Sequence, residues 1–545
     1  MTMKNDQTRL AKLLRHLSAG LAILAAAAAF AAADASRPAK ILGMYVHQHW
    51  AYNHPYAART WTLEDWRGYL DGLHKLGYNM VLIWPMLETM PDPLTSSDEA
   101  NITKIAAVID MAHHDFGMRA SIVLCPNVSA KNEEARKYNF EKRPFFHTDD
   151  RVDPADPVAF GKLMAWREQL FRPLAKADGL FIIDSDPGGY ANSTNLDFVY
   201  LLGAHRRMLD RLRPGIEVVY WSHFGWESYS RFYATGEMKR GDPVEPREAI
   251  VLLASQPRSE PWGVANSGFP ADFLDSIGMG DRVLGFPYGT IESEPSFPFT
   301  IYGGDDRVSA GGRQLKSAYL GGQSGGQRGV IGNSQTHCVQ LPNLFAFARA
   351  AQGLPAKKAD FIAFANELIP GHGELIVEGW DALQGADAHR METVMEQLDA
   401  LPASSLNGGP LKGLLFGNSS RFIGDLVMQL HAASTLFRFR AAVSASPRDE
   451  AKITETFGNF VTAIAAWQQK HGYGNFWRWQ PMEEALRKLD AASVNAVLGS
   501  RTFVSPEGAT PFERVKNGFA RLEDYSPRLI EAMKQALAER DKIRK

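Results

Sequence analysis

The chain has 545 residues, of which 45% are hydrophobic, 11% aromatic and 22% charged, a balance that excludes disorder, a collagen-like repeat and a disulfide-stapled miniature. A net charge of -2 and a pI near 6.7 give no basic footprint for phosphate backbones or anionic lipid, so neither nucleic acid nor a membrane surface is an expected partner. A neutral polar ligand suits this balance better, and the 12 Trp and 16 Tyr offer flat faces with polar tips to bind one.

Residues 1–35 read as a secretory signal. Lys4, Arg9, Lys12 and Arg15 form a positive start, Leu21 to Ala33 is an apolar run too short and Ala-rich for a membrane anchor, and Ala33-Asp34-Ala35 has the small-x-small form of a cleavage site. The expectation is export to the periplasm or beyond, with no stable membrane insertion after cleavage. Cys125 and Cys338 are the only cysteines; they lie far apart in two apolar runs and read as buried thiols.

From 36 to 354, short apolar runs alternate with helical patterns. The runs are 40–50, 78–85, 119–127, 179–186, 217–224, 249–256, 282–289 and 329–337, eight in all and mostly apolar throughout, as strands covered on both faces must be. Amphipathic stretches at 63–77, 99–117, 156–177 and 194–212 separate the first five, with Gly77 and Gly117 where a helix C-terminus calls for positive φ. Eight β/α units predict an α/β fold of the (β/α)8 TIM barrel type. A doubly wound nucleotide fold would need a Gly-rich turn after its first strand, and that strand ends instead in HQHWAYNHP. The Gly-rich stretch 321–332 precedes a strand and lacks a Lys-Ser/Thr ending, so it reads as a loop. From 355 to 545 every pattern is helical, which predicts an all-α C-terminal domain.

Barrels of this kind carry their reacting groups where strands end. The predicted strand ends carry His47, His49 and Trp50; Trp84 and Glu88; Asn127; Asp184 and Asp186; Trp221, His223 and Glu227; Gln256 and Arg258; Tyr288, Glu292 and Glu294; and Asn333, Gln335 and His337. Asp184 and Asp186 are the centre of this set, because two residues two apart on a strand face the same way and two close carboxylates cannot both ionise cheaply. One should keep a proton beside an ionised partner, as acetal cleavage requires. A single Asp there would more often cap the next helix. The turn Pro187-Gly188-Gly189 exposes backbone to a ligand, and Glu292 and Glu294 are candidate second carboxylates, with Glu227 and Glu88 as rivals. Trp50, Trp61, Trp84, Trp221, Trp226 and Trp262 fall near predicted strand ends, where an indole could stack on a sugar ring or simply pack the core.

Three motifs carry a resemblance. WTLEDWRGYLDGLHKLGYNMVLIWP (61–85), DSDPGG (184–189) and NSQTHCVQLPNLFAFARA (333–350) make the chain resemble an exported (β/α)8 glycoside hydrolase, similar in layout to hexosaminidase-like and α-glucuronidase-like barrels with a helical C-terminal extension. The likeness covers about the first two thirds of the chain. It implies a metal-independent enzyme without cofactor, acting on an oligo- or polysaccharide, with Asp186 as acid, Asp184 as its tuning partner and Glu292 or Glu294 as the second carboxylate. The Asp-Glu pair usual in substrate-assisted hexosaminidases is replaced here by Asp186-Pro187. Three other readings remain open, one of them a polysaccharide lyase, which would need a base rather than an acid pair. His47-Gln48-His49, continued by His223, resembles the metal-binding signature of the amidohydrolase superfamily, although strands four, six and eight lack its Lys, His and Asp; a non-catalytic glycan-binding protein would use the same aromatic rim.

Overall fold

The computed structural model describes residues 41–49, 52–143, 149–185, 188–223, 225–235, 244–257, 261–266, 269, 271–287, 291, 328–334, 336–354, 356–447 and 449–471. Eight parallel strands close into a barrel: β1 (Leu42–His47), β2 (Met80–Trp84), β3 (Arg119–Leu124), β6 (Gly179–Ile183), β7 (Glu217–Trp221), β8 (Trp262–Asn266), β9 (Val283–Gly285) and β10 (Gly329–Asn333), with β10 returning to pair with β1. A small antiparallel pair, β4 (Val128–Ala130) and β5 (Asp149–Arg151), is inserted in the loop after β3. The fold is thus the expected TIM barrel followed by a helical region.

The helices begin and end where local chemistry dictates. α1 (Leu63–Lys75), α2 (Ser96–Phe116) and, later, α5 (Asn195–Leu212) each start with a threonine capping box, Thr62 with Asp65, Thr95 with Asp98 and Thr194 with Asp197. After α1 and α2 the chain turns at Gly77 and Gly117, with φ of 90° and 61°, the left-handed region foreseen at both positions. The four-residue α3 (Asn132–Ala135) and α4 (Pro157–Phe171), capped by Asp156, complete the first half.

One element departs from expectation. Residues 249–256 do not form the sixth strand: Val244–Ala254 is a helix, α7, and β8 follows it at Trp262. Ala249, Ile250 and Leu253 are buried while Val251 is 45% exposed, the one-sided burial of a helix. A continuous apolar run of this length is compatible with either element, and only packing separates them. The true strand, WGVAN, hides behind a glycine. A Cβ at Gly263 would sit 2.6 Å from Glu217 Oε1, because Glu217 fills the barrel floor with Arg328 and Arg119 around it.

α6 (Trp226–Thr235) and the short α8 (Ala271–Ser276) complete the outer layer before β9, and α9 (Leu341–Ala351) follows β10. The chain continues through α10 (Lys358–Leu368), α11 (Gly373–Gln384), α12 (Ala388–Asp399), α13 (Ser419–Ser444) and α14 (Glu450–His471). The apolar faces of α9 to α13 join the barrel in one hydrophobic core. The junction is tight. A Cβ on Gly68 of α1 would meet Gly413 Cα at 3.0 Å, so the backbone ahead of α13 lies directly on the barrel helix. A second contact binds α13 and α14 to the loop after β1: Tyr56 OH donates to Asp425 Oδ1 of α13 at 2.7 Å, Asn53 N–H to His471 O of α14 at 2.9 Å, and Tyr52, Tyr56, Cys338 and Trp467 share a buried cluster. Both cysteines are buried, and no disulfide joins them.

Candidate functional site

In a closed barrel, register decides which side chains face the axis. Tyr45 pairs with Leu82 and Asn333, His47 with Trp84, and Ile183 with Trp221, which places Tyr45, His47, Trp84, Ile183, Trp221 and Asn333 in one inward set. Ring geometry agrees. Trp221 meets Tyr45 edge-on at 5.2 Å and Phe286 at 4.4 Å, and His47 stacks on Tyr45 at 5.5 Å. Above this aromatic layer the strand ends present imidazole, indole and amide groups.

The first strand's exit is held from behind. Arg59, 2% exposed, donates Nε–H to Gln48 O at 2.7 Å and reaches His49 O, Phe140 O and Arg143 O as well. Gln48 itself turns outward, donating to Ala58 O and accepting from Asn101, so the flanking His47 and His49 turn the other way. Burial, with help from Arg59, pushes the His47 imidazole down to about 3, and burial, His47 and Arg59 hold His49 well below its usual range. Both are neutral rings that can donate and accept. His337, after β10, is also buried and neutral; its Nδ1 lies 2.6 Å from Tyr69 OH.

The carboxylates are placed differently from one another. Asp184 follows Ile183 and falls on the outward side of the alternation. Its oxygens accept from Tyr220 OH at 2.7 Å, Ser185 Oγ at 2.8 Å, His223 N–H at 3.1 Å and Gly225 N–H at 3.1 Å. Tyr220 packs edge-on against Phe198 of α5, in the layer between barrel and helices, so this carboxylate is turned from the axis and organises the loop after β7. Burial raises Asp184 to about 6 against the pull of these donors. Ser185 extends the set, its Oγ lying 3.1 Å from His223 Nδ1. The glycines of the following turn serve packing first: a Cβ at Gly188 would strike the Asp184 carbonyl, and one at Gly189, where φ is 79°, would lie 2.8 Å from Tyr229 Cβ.

Glu88 accepts from Trp84 Nε1 at 3.0 Å and from the Cys125 amide, bracing the ends of β2 and β3; burial raises it. Glu227 accepts from the Asn195 amide at 2.8 Å and so occupies the start of α5. Asn127 donates to Val152 O at 2.9 Å and Gly189 O at 3.1 Å, tying two loops together. Gln256 lies past the C-terminus of α7, bound to Leu252 O, at the end of the barrel where strands begin. That is the consequence of the displaced sixth strand. Trp262 opens β8 at the same end, Trp61 donates to Pro55 O among Trp66, Tyr69 and Phe416, and Trp226 donates to Ser193 and stacks on Phe198, so packing accounts for these three. Trp50, Asp186, Arg258, Tyr288, Glu292, Glu294 and Gln335 lie outside the described residues.

Several supporting residues escaped the sequence reading. Arg167 of α4, 3% exposed, donates to Cys125 O at 2.6 Å and Val128 O at 3.1 Å behind the exit of β3, and its guanidinium abuts His205 Nε2 at 2.6 Å. An arginine inside a helical pattern carries no signal of this role; Tyr220 could have been found from strand alternation, since it must face opposite to Trp221. Among the described residues no group of three or more His, Cys, Asp or Glu is arranged to hold a metal ion, and no helix is long and apolar enough to cross a membrane.

No family model matches the chain, and no curated protein does. Among solved structures it is distantly similar to glycoside hydrolase barrels. A GH20 β-N-acetylhexosaminidase from Streptomyces coelicolor A3(2) aligns over 64% of this chain and 70% of its own, at 12% identity and a TM-score of 0.37. The pneumococcal virulence factor StrH aligns over 72% and 98%, at 10% identity and 0.35. An exo-β-1,4-mannosidase from Opitutaceae bacterium strain TAV5 aligns over 58% and 60%, at 13% identity and 0.28.

Proposed function

We propose that the chain is an exported glycoside hydrolase that cleaves an oligo- or polysaccharide at the mouth of its barrel by carboxylate acid/base chemistry. One observation carries the reading. The strand ends hold a layer of inward aromatic rings beneath neutral imidazole and amide groups, beside a buried Asp184 that accepts four hydrogen bonds and keeps its proton up to about pH 6. Rings suit the apolar faces of sugars, and neutral donor-acceptors suit their hydroxyls.

In this reading Asp186 is the acid, Glu292 or Glu294 the second carboxylate, and Asp184 the group that orients the loop around them through Ser185 and His223. The barrel, 36–354, is the catalytic domain and 355–545 a helical domain packed on it. Residues 1–35 are the export signal. The test is a glycan-library hydrolysis screen of wild type, Asp186→Asn and Glu292→Gln. Hydrolysis by wild type and loss of about a hundredfold or more in a carboxylate variant is expected. Full activity in both variants overturns the roles, and binding without turnover in every form overturns the enzyme.

A further inference from the structure

We infer that Tyr69 of α1 is a positioning residue that fixes His337 as a directed Nε2–H donor for a hydroxyl oxygen of the ligand. The inference rests on the proposed carbohydrate site, which it deepens, but its core is a count of hydrogen-bonding groups that stands without it. Tyr69 and His337 are both buried, and Tyr69 OH lies 2.6 Å from His337 Nδ1. Among the described residues, His337 Nε2 has no hydrogen-bond partner.

Two proton arrangements fit that distance. If the imidazole carries its proton on Nδ1 and donates to the phenol, the phenol O–H is left without an acceptor and Nε2 is left as a bare lone pair. If the phenol donates to Nδ1, its own proton is satisfied and the imidazole proton sits on Nε2. The second arrangement leaves one buried group unmatched instead of two. The phenol, a better donor than acceptor, favours it too. A doubly protonated ring is excluded by burial and by the proximity of His47, which both hold His337 well below its usual range.

The remaining Nε2–H has a direction. Nδ1 is turned to α1, outside the barrel, so Nε2 lies on the opposite edge of the ring. Trp61 meets the ring edge-on at 5.2 Å, which with the Tyr69 bond holds its plane. An unmatched buried N–H costs about 1–3 kcal/mol, so a fold that keeps one rigidly aimed has a partner for it. A neutral N–H next to neutral His47 matches an uncharged oxygen better than a cation or an apolar group, which fits a sugar hydroxyl.

Two measurements on the full chain separate this inference from the function itself. Long-range ¹H–¹⁵N spectra of histidine-labelled protein, with His337 assigned by its loss in His337→Gln, should show Nδ1 unprotonated and Nε2 protonated, unchanged from pH 8 to pH 5. Tyr69→Phe, which removes one oxygen, should release a mixture of the two forms. A proton on Nδ1 in wild type, or an unchanged spectrum in Tyr69→Phe, overturns the assignment even for a protein without hydrolytic activity. On a glycan cleaved in the screen, His337→Phe should raise KM about tenfold with a smaller change in kcat and an unshifted pH profile, and His337→Gln, which keeps an N–H, should recover most of it. If KM is unmoved, the ligand role fails.

Discussion

Acid should unfold this protein through histidines locked in their neutral form. His205 shows why. Its Nδ1–H donates to Leu201 O at 2.8 Å and its Nε2 accepts from the Arg167 guanidinium at 2.6 Å, so a second proton would set N–H against N–H beside a cation. Burial and Arg167 hold it at about 3, from an ordinary 6.5, and His47 is held at about 3 by burial and Arg59. A lowered folded pKa means that the unfolded chain takes up protons first. The stabilisation is therefore intact above pH 6.5 and falls as pH drops toward 3, by about 1.4 kcal/mol per unit for each ring. At pH 5 that is about 2 kcal/mol each, or about 4 for the two. Asp184 works the other way: raised to about 6, it is strained when ionised and regains about 1 kcal/mol between pH 7 and pH 5. The net loss is about 3 kcal/mol, a large share of the 5–15 kcal/mol typical of a folded domain. His49 and His337 act in the same direction as His47, and the raised Glu88 acts in the same direction as Asp184. Urea unfolding followed by tryptophan fluorescence at pH 5, 6 and 7 measures it. His205→Gln, whose amide oxygen can still accept from Arg167, should reduce the slope between pH 4 and 6 by about one proton. Equal stability at pH 5 and 7, or a slope unchanged by that substitution, would refute the argument.

Two further substitutions probe the supports of the site. Tyr220→Phe removes a donor from the buried Asp184 carboxylate, so it should cost about 1.5–3 kcal/mol at pH 8 and clearly less at pH 4.5, where the carboxyl is protonated; an equal cost at both would show that the bond does not serve the charge. Gly413→Ala places a methyl against the Gly68 carbonyl and should cost about 1–3 kcal/mol in the same urea assay, whereas a change below about 0.5 kcal/mol would mean that the helical region is not seated on α1.

The candidate site was legible as a location and much less as a set of roles. Among the described residues His47, Trp84, Trp221 and Asn333 do close their strands at one end of the barrel, because parallel strands share a direction, whereas Gln256 lies at the other end. What each does there follows from its second neighbour. Asp184 was expected to face the mouth, yet its oxygens are taken up by Tyr220, Ser185 and two amides of the β7 loop. Glu227 looked like a rim carboxylate and sits on the start of α5. Asp184 follows from the alternation once the register is known, since Ile183 before it faces the axis, whereas nothing in local spacing assigns Glu227 to the start of α5.

The sequence by itself determined the alternation of apolar runs and amphipathic stretches, the caps at Thr62, Thr95 and Thr194, and the turns at Gly77 and Gly117, because each depends on hydrogen bonds and dihedral limits within a few residues. Only the tertiary structure decided that 249–256 is a helix, that the strand is the glycine-bearing WGVAN, and that buried Arg59 and Arg167 hold the strand exits by their carbonyls. An apolar run states that it will be buried and not against what. The partner that settles the matter, Glu217 under Gly263 or Arg167 behind Cys125, comes from dozens of residues away.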